Sequence, residues 1–478
     1  MAQPKLSDKR ISELSNLWTS ILAEPPPQNL NKLWEEHLNI REVLEVSNDP
    51  FNFREAFQRP DRKESIEELL KWLDANQVDH GAVEIRPVEN GYGLYATKDL
   101  EPNSIPIQLP HKLMLSLDYS SQCADIKKMH ESDWVLSSMS NVNLAMIIAY
   151  TLLSNDKHFT PYLNALPSSH QTPLFFSKEE LLSLKPSPIF ESSLFMFRAV
   201  SRHYVYFVLR IVKDSVLKKQ KVPGKAEFNF KQSPFNSDKF TFDLYRWCVS
   251  TVATRLNNVP SLEYKREDGS PEIIPALIPL IDFANYENKE RGSASMILDG
   301  KSETIQLQLS KEVKAGEEVF LNYGLRSNGD FLLHNGFVPT GKNAGTFYEI
   351  KFGFPKTNES VVKQQQLQAR NIRPDRGVYT FMLDYNSASQ VNLEETALWH
   401  FALIFVATDP QDVDSDENKQ KAIKFLLQRV QLLQRAYGEL PDVEDSNKPL
   451  IDRFIWRLKK SEVELLRLYE EKFAQIQF

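Results

Sequence analysis

Apolar positions along the chain switch twice between helical and strand-like spacing. Residues 1–80 mix polar and apolar positions at helical spacing, and Pro25-Pro26-Pro27 breaks the pattern. Ser65 followed by Ile66, Leu69, Leu70, Trp72 and Leu73 predicts an amphipathic helix. Strand character begins near Ala82. Gly91-Tyr92-Gly93-Leu94-Tyr95-Ala96 reads as a glycine-punctuated turn entering a short strand, and alternation continues through Ile105, Ile107 and Leu109. From about 122 to 245 the pattern is helical again: Asn143–Leu153 is mostly apolar, Ser177-Lys178-Glu179-Glu180 has the form of a capping box, and Phe195–Leu217 is long and aromatic-rich. Strands are predicted at Glu272–Leu280, Ser293–Leu298, Thr304–Leu309 and Glu318–Tyr323, the last after a tight turn at Ala315-Gly316-Glu317-Glu318. Beyond about 345 the chain reads as mainly helical, with apolar periodicity near 3.6 over Leu426–Ala436 and Phe454–Phe473 and an acidic connection at Asp409–Glu417. The order is that of an α+β protein whose strand region is interrupted by a helical block. Its segments are 1–80, 81–121, 122–245, 246–344 and 345–478.

Composition narrows the class. The chain has 478 residues, 41% hydrophobic and 25% charged, as in ordinary globular proteins. Its net charge of −7 disfavours a nucleic-acid partner. The densest basic run, Lys218-Lys219-Gln220-Lys221, reads as a solvated helix end. Two cysteines, Cys123 and Cys248, argue for a reducing compartment and cannot supply a zinc site of four thiolates, so no metal is expected. The start, Met1-Ala2-Gln3-Pro4-Lys5, has no signal-peptide core, and the longest apolar stretches fall short of the roughly 20 residues that span a bilayer. A cytoplasmic monomer without a membrane partner is expected, with nuclear entry left open.

Three segments carry candidate chemistry. Gly91-Tyr92-Gly93 lacks the full dinucleotide fingerprint and by itself reads as a simple turn; its glycines would also permit close backbone approach to a ligand. Asp282-Phe283-Ala284-Asn285, after the apolar Ile278-Pro279-Leu280-Ile281, could be a strand end with an Asx turn. Asn322-Tyr323-Gly324, after Phe320-Leu321, could be a turn with a buried tyrosine.

Together and in this order, the three segments resemble the active-site signature of SET-domain methyltransferases. His158-Phe159-Thr160-Pro161-Tyr162, Leu166-Pro167 and Thr172-Pro173-Leu174-Phe175-Phe176 resemble the helical insert of the Rubisco large-subunit methyltransferase class. Leu244-Tyr245-Arg246-Trp247, Thr254-Arg255-Leu256-Asn257 and Ala276-Leu277-Ile278-Pro279-Leu280 are similar to one branch, the actin-histidine N-methyltransferases. The resemblance is specific over roughly residues 60–340 and loose in the C-terminal region, and the first ~55 residues match nothing usable. It implies a SET-domain β fold with a pseudoknot, a rare exception to unknotted chains. In its terms, 81–121 and 246–344 are the two parts of the SET domain, 122–245 is the insert, and 345–478 is a helical substrate-binding domain.

The resemblance also implies S-adenosylmethionine as methyl donor. Arg62 and Arg255 would approach the cofactor carboxylate, a role suited to a planar guanidinium fork. The Asn90-Gly91-Tyr92 backbone would line the cofactor, and Asn285 would hold its amino group or adenine edge. Asp282, Phe283, Ala284 and Tyr286 would shape the same wall, and Asn335, Gly336 and Phe337 would close over the adenine. Tyr323 would be the catalytic tyrosine, orienting the acceptor nitrogen for in-line displacement. A histidine acceptor is largely neutral at pH 7, so it needs its ring tautomer fixed more than it needs a base. Asn257 and Arg326 stand where the actin-histidine branch places its imidazole-binding amide and a substrate-contacting arginine. Two departures are Ile281, where the branch has tryptophan, and Tyr286, where relatives have histidine. The expected function is actin-histidine methylation. Lysine methylation of a non-histone protein and a non-catalytic SET-type binding module remain as alternatives.

Overall fold

The computed structural model describes residues 7–45, 51–212, 227–287, 292–390 and 392–476. The basic run at 218–221 and the first five residues lie outside these. The described residues form two compact units. One takes in the chain up to Phe175, Ser193–Gly324 and His334–Gly336; the other takes in Phe176–Ser192, Leu325–Leu333 and Phe337 onward.

The first unit opens with helices Asp8–Leu17 and Leu30–Leu44, separated at the three prolines as the pattern predicts. Helix Arg62–Ala75 starts at Asp61, whose carboxylate caps the Glu64 N–H, and buries Ser65, Ile66, Leu69 and Leu73. Eight strands follow: β1 (Val83–Val88), β2 (Gly91–Ala96), β3 (Ile107–Pro110), β4 (Leu115–Ser116), β5 (Asn257–Lys265), β6 (Pro271–Leu277), β7 (Ala294–Asp299) and β8 (Thr304–Leu309). β1 and β2 form an antiparallel hairpin, and two three-stranded sheets have the orders β3-β8-β7 and β4-β6-β5. Strands on the two sides of the helical insert therefore pair with each other. The insert interrupts the sheets in sequence without dividing them in space.

The segment expected as a strand at Glu318–Tyr323 is not a regular strand. Its backbone changes partner along its length. Ala96 N–H donates to the Glu317 carbonyl at 2.9 Å and Val319 N–H to Leu94 at 2.7 Å. Further on, Leu321 N–H donates to the Asn285 carbonyl at 2.8 Å, and Ala294 N–H to Phe320 at 3.0 Å. Only isolated bridges result, Tyr95 with Glu318 and Leu321 with both Tyr286 and Ala294, because no neighbour runs alongside long enough to form a ladder.

Helix Phe242–Arg255 is capped by Thr241 and buries Tyr245, Trp247 and Cys248. The indole of Trp247 stacks on Phe53, with ring centroids 4.4 Å apart and planes 10° apart, and donates to the Pro167 carbonyl at 3.1 Å. Arg54 donates to the Asn164 and Leu166 carbonyls at 2.7 and 2.8 Å, serving the C-terminal end of helix Thr160–Ala165. Arg246 joins Glu45 at 2.8 Å. These contacts tie the N-terminal residues, whose sequence has no family match, to the insert and to helix Phe242–Arg255.

In the second unit, a capping box at Ser177 and Glu180 starts helix Lys178–Ser183 as predicted. β9 (Phe347–Gly353) and β10 (Val378–Asp384) pair antiparallel within a region the sequence marks as mainly helical. The reason is packing: Tyr348, Ile350 and Phe352 on β9 alternate into an aromatic core shared with Phe401. Helices Ala397–Val406, Asp416–Ala436 and Leu450–Gln475 complete it, and Asp416 is already helical within the acidic connection. Glu462 is buried on the last of these. It accepts from Ser187 and Tyr437, and burial pushes its carboxyl up to about 7. No described helix is long and apolar enough to cross a membrane.

Trp247 is fully buried with both its face and its N–H engaged. Trp247→Ala is expected to cost about 3–5 kcal/mol of stability, read from denaturant unfolding. A loss below about 1 kcal/mol would contradict this account of the packing.

Candidate functional site

The two polar motifs meet because their backbones pair across Asn285 and Leu321. The wall between them starts with an unusual turn. The Pro279 carbonyl accepts from the Ile281 N–H at 2.9 Å across Leu280, whose φ is +69° and ψ −52°. This is a γ-turn at a non-glycine residue, a conformation costing on the order of 1–3 kcal/mol. Buried packing of Leu280 and Ile281 holds it. A single 3-10 turn, Ile281–Phe283, follows instead of a continued strand. It turns the Asp282 side chain inward.

Asp282 is the polar centre. Its Oδ2 accepts from the Tyr162 hydroxyl at 2.5 Å and lies 3.4 Å from Arg255 Nη1, and its backbone carbonyl accepts from the same Nη1 at 2.8 Å. Burial raises the carboxyl above its ordinary range, opposed mainly by Arg255. The same burial, reinforced by Asp282, drives the Tyr162 phenol well above its usual value. Tyr162 belongs to the His158–Tyr162 motif, so that motif supplies a buried hydroxyl to the site.

Arg62 and Arg255 converge on one ring, their guanidinium carbons 5.9 and 5.5 Å from the centroid of Phe283. Arg62 also lies 4.9 Å over Tyr92 and donates from Nε to the Ala165 carbonyl at 3.0 Å. Burial, and then the charge of Arg255, pull the Arg62 guanidinium down to about 9. Arg255 Nε is buried and makes no hydrogen bond among the described residues. Two adjacent cations, one with an unused donor, form an environment that an added carboxylate stabilises.

Asn285 donates from Nδ2 to Glu318 Oε1 at 2.7 Å and to the Tyr92 carbonyl at 3.3 Å. Gly91 has φ +122°, and a Cβ there would stand 3.4 Å from Arg62 Nη1. At Gly93 a Cβ would strike the Glu318 carboxylate, so that glycine makes room for a side chain of the protein itself. Asn90 is exposed at the tip of the β1–β2 turn. Tyr323 donates its hydroxyl to the Ala284 carbonyl at 3.0 Å, and its ring lies 5.5 Å from that of Tyr286. Asn257 opens β5 and donates from Nδ2 to the Arg255 carbonyl at 3.1 Å.

The four remaining residues lie on the segment 326–337. Gly336, at φ +74°, packs against the backbone of Gln171 and Thr172, with Asn335 preceding it in the same unit. Phe337 belongs to the second unit, its ring 5.1 Å from Phe331. Arg326 is also in the second unit, where its carbonyl accepts from Asn343 at 2.9 Å. Sequence reasoning missed three groups: Glu318, Tyr162 as the partner of Asp282, and His170. The ring of His170 is buried with Nε2 2.9 Å from Thr251 Oγ1. Burial, then Arg255 and Arg62, lower it to about 3. Glu318 stood in plain view in Gly316-Glu317-Glu318, but nothing local assigns an exposed-looking glutamate to an amide far away in sequence.

The chain is similar to curated actin-histidine N-methyltransferases over most of its length. It is 28% identical to that of Gallus gallus, covering 89% of this chain and 70% of the relative. For Danio rerio the identity is 28%, covering 97% and 76%; for Homo sapiens it is 27%, covering 89% and 70%. Two solved structures share the fold. The SET domain of LSMT bound to lysine and AdoHcy superposes with a TM-score of 0.65 at 17% identity, covering 87% of this chain and 92% of that one. Rubisco LSMT bound to AdoMet superposes at 0.64 and 17%, covering 86% and 92%. The fold is therefore the SET-domain fold, with a helical insert and a helical C-terminal region. No protein-family profile matches the chain.

His170 is neutral in the folded protein down to about pH 3, against an unfolded value of about 6.5. Its contribution is full above about pH 6.5 and is lost as pH falls toward about 3, because only the unfolded chain binds the proton. Urea midpoints measured between pH 7 and pH 4 should fall, and His170→Gln should flatten that slope. An unchanged slope in the variant would refute the assignment.

Proposed function

We propose that this SET-fold chain is an S-adenosylmethionine-dependent protein methyltransferase whose acceptor is a histidine of actin. The observation that carries the reading is the convergence of Arg62, Arg255, Asp282, Asn285 and Tyr323 around the paired Asn285–Leu321 backbone. Similarity to actin-histidine N-methyltransferases over most of the chain supports the acceptor. A cytoplasmic location and a monomeric state are part of the same proposal.

The residues fit the cofactor. Arg62 and Arg255 would hold its carboxylate, whose charge would offset the burial and then the repulsion by Arg255 that lower Arg62. Tyr92, Phe283, Ala284 and Tyr286 would form the wall, with the Asn90-Gly91 turn beside it and Asn335 and Gly336 over the adenine. The bound cofactor supplies an electrophilic methyl group on a sulfonium sulfur. What the protein must do is align the acceptor and exclude water.

Tyr323 performs the alignment. Its O–H donates to the Ala284 carbonyl, which fixes the phenol against which the acceptor ring would align. Asn257 fixes the imidazole. Its NH2 end faces the Arg255 carbonyl, which can only accept, so the amide oxygen is the end turned away from that contact. An imidazole N–H donating to that oxygen leaves the other ring nitrogen with its lone pair toward the methyl. That nitrogen would take the methyl group, the sulfonium would leave as a neutral thioether, and the ring proton would pass to water. Arg326 would contact the actin segment.

Ile281 favours a second reading. It stands where the resemblance places a tryptophan, and it is fully buried in the core, which leaves the acceptor pocket without that ring. Lysine methylation of a non-histone protein is the alternative.

Incubation of the purified chain with unmethylated actin and labelled S-adenosylmethionine, followed by peptide mass spectrometry, should place the label on one actin histidine. Label on lysine of another protein and none on actin would replace the acceptor. Tyr323→Phe is expected to lower kcat about a hundredfold with little change in the cofactor dissociation constant. Equal losses in both would remove its aligning role.

A further inference from the structure

We propose that Glu318 is a positioning residue that sets which end of the Asn285 amide meets the cofactor, making Asn285 a hydrogen-bond acceptor for a cofactor N–H group. The inference rests on the proposed methyltransferase reading and names a part that reading does not contain.

The orientation follows from the partners. Asn285 Nδ2 lies 2.7 Å from Glu318 Oε1 and 3.3 Å from the Tyr92 carbonyl. A peptide carbonyl and a carboxylate oxygen are acceptors, so the NH2 end of the amide must face them. Rotating the amide by half a turn would set its oxygen against two other oxygens. The assignment of nitrogen and oxygen is thus dictated by the network. Oδ1 points away from both partners, and an amide oxygen accepts. The group it suits is an N–H donor: the α-ammonium of a methionine moiety or the exocyclic amine of adenine.

Glu318 is itself held. The Tyr95 hydroxyl donates to its Oε2 at 3.3 Å, while Oε1 serves Asn285. Its neighbours in sequence are pinned to β2 by the Ala96–Glu317 and Leu94–Val319 hydrogen bonds. Gly93 completes the arrangement, because a Cβ there would strike the carboxylate and stand 3.0 Å from Asn285 Nδ2. Glycine at that position, an otherwise unexplained half of the Gly-Tyr-Gly motif, is what lets the carboxylate reach the amide.

The test uses calorimetry with three probes: S-adenosylhomocysteine, its analogue lacking the α-amino group, and its analogue with a dimethylated adenine amine. For the unaltered chain, the analogue that removes the paired N–H should bind about tenfold more weakly than S-adenosylhomocysteine, the effect of one hydrogen bond. Which analogue loses affinity identifies the donor. Glu318→Ala, with Glu318→Leu as the volume-preserving variant without an acceptor should the first not fold, should weaken S-adenosylhomocysteine by a similar factor and abolish that discrimination. Affinity for the donor-less analogue should stay within about twofold of the unaltered chain. If Glu318→Ala weakens all three probes equally, or none, the positioning role is overturned while the methyltransferase reading stands. If the unaltered chain binds no S-adenosylhomocysteine, both fall together.

Discussion

Backbone pairing of Glu317–Leu321 first with β2 and then with Asn285, Glu287, Ser293 and Ala294 is the constraint on which the site depends. A buried peptide group left without a partner costs as much as a lost hydrogen bond, so this segment has few alternatives to its place. It brings the Gly-Tyr-Gly hairpin, the Asp-x-x-Asn turn and the Asn-Tyr-Gly turn together from distant parts of the chain. The change of partner explains why the segment never becomes a regular strand. A long ladder would commit it to one neighbour, whereas the site needs two.

Electrostatics then concentrates on a few side chains. Asp282 is buried among Tyr162 and Arg255, and its negative charge only partly offsets the Arg62–Arg255 pair. Desolvation makes each of these charges costly alone. Both guanidiniums lie against the ring of Phe283, where an incoming carboxylate would gain more than it would in water. His170, buried nearby in the same field, stays neutral for the same reason that Arg62 is lowered.

The same hydrogen-bond rule acts at Asn257 and Asn285. In each, acceptor-only groups engage the NH2 end and turn the oxygen away from them. An amide is ambiguous until its surroundings choose its direction. Here the choice makes both asparagines acceptors, which suits an imidazole N–H in one case and a cofactor N–H in the other. Rigid carbonyls and a braced carboxylate make that choice without mobile parts.

The sequence by itself determined the order of helical and strand-like regions, the break at Pro25–Pro27, the Ser177 capping box and β7 and β8 nearly to the residue. These are set by local periodicity and turn chemistry, which neighbouring residues encode. It also held the motifs whose likeness implied the SET fold and the methyl donor. Tertiary structure alone decided the rest. β9 and β10 form where helix was expected, because an aromatic core rewards alternation there. Glu318–Tyr323 yields isolated bridges, because its neighbours change along its length. The γ-turn at Leu280, the Tyr162–Asp282 bond, the neutral His170 and the grip of Glu318 on Asn285 have no local signature. Each is a choice of partner made across the fold, and such choices depend on which groups packing has already desolvated.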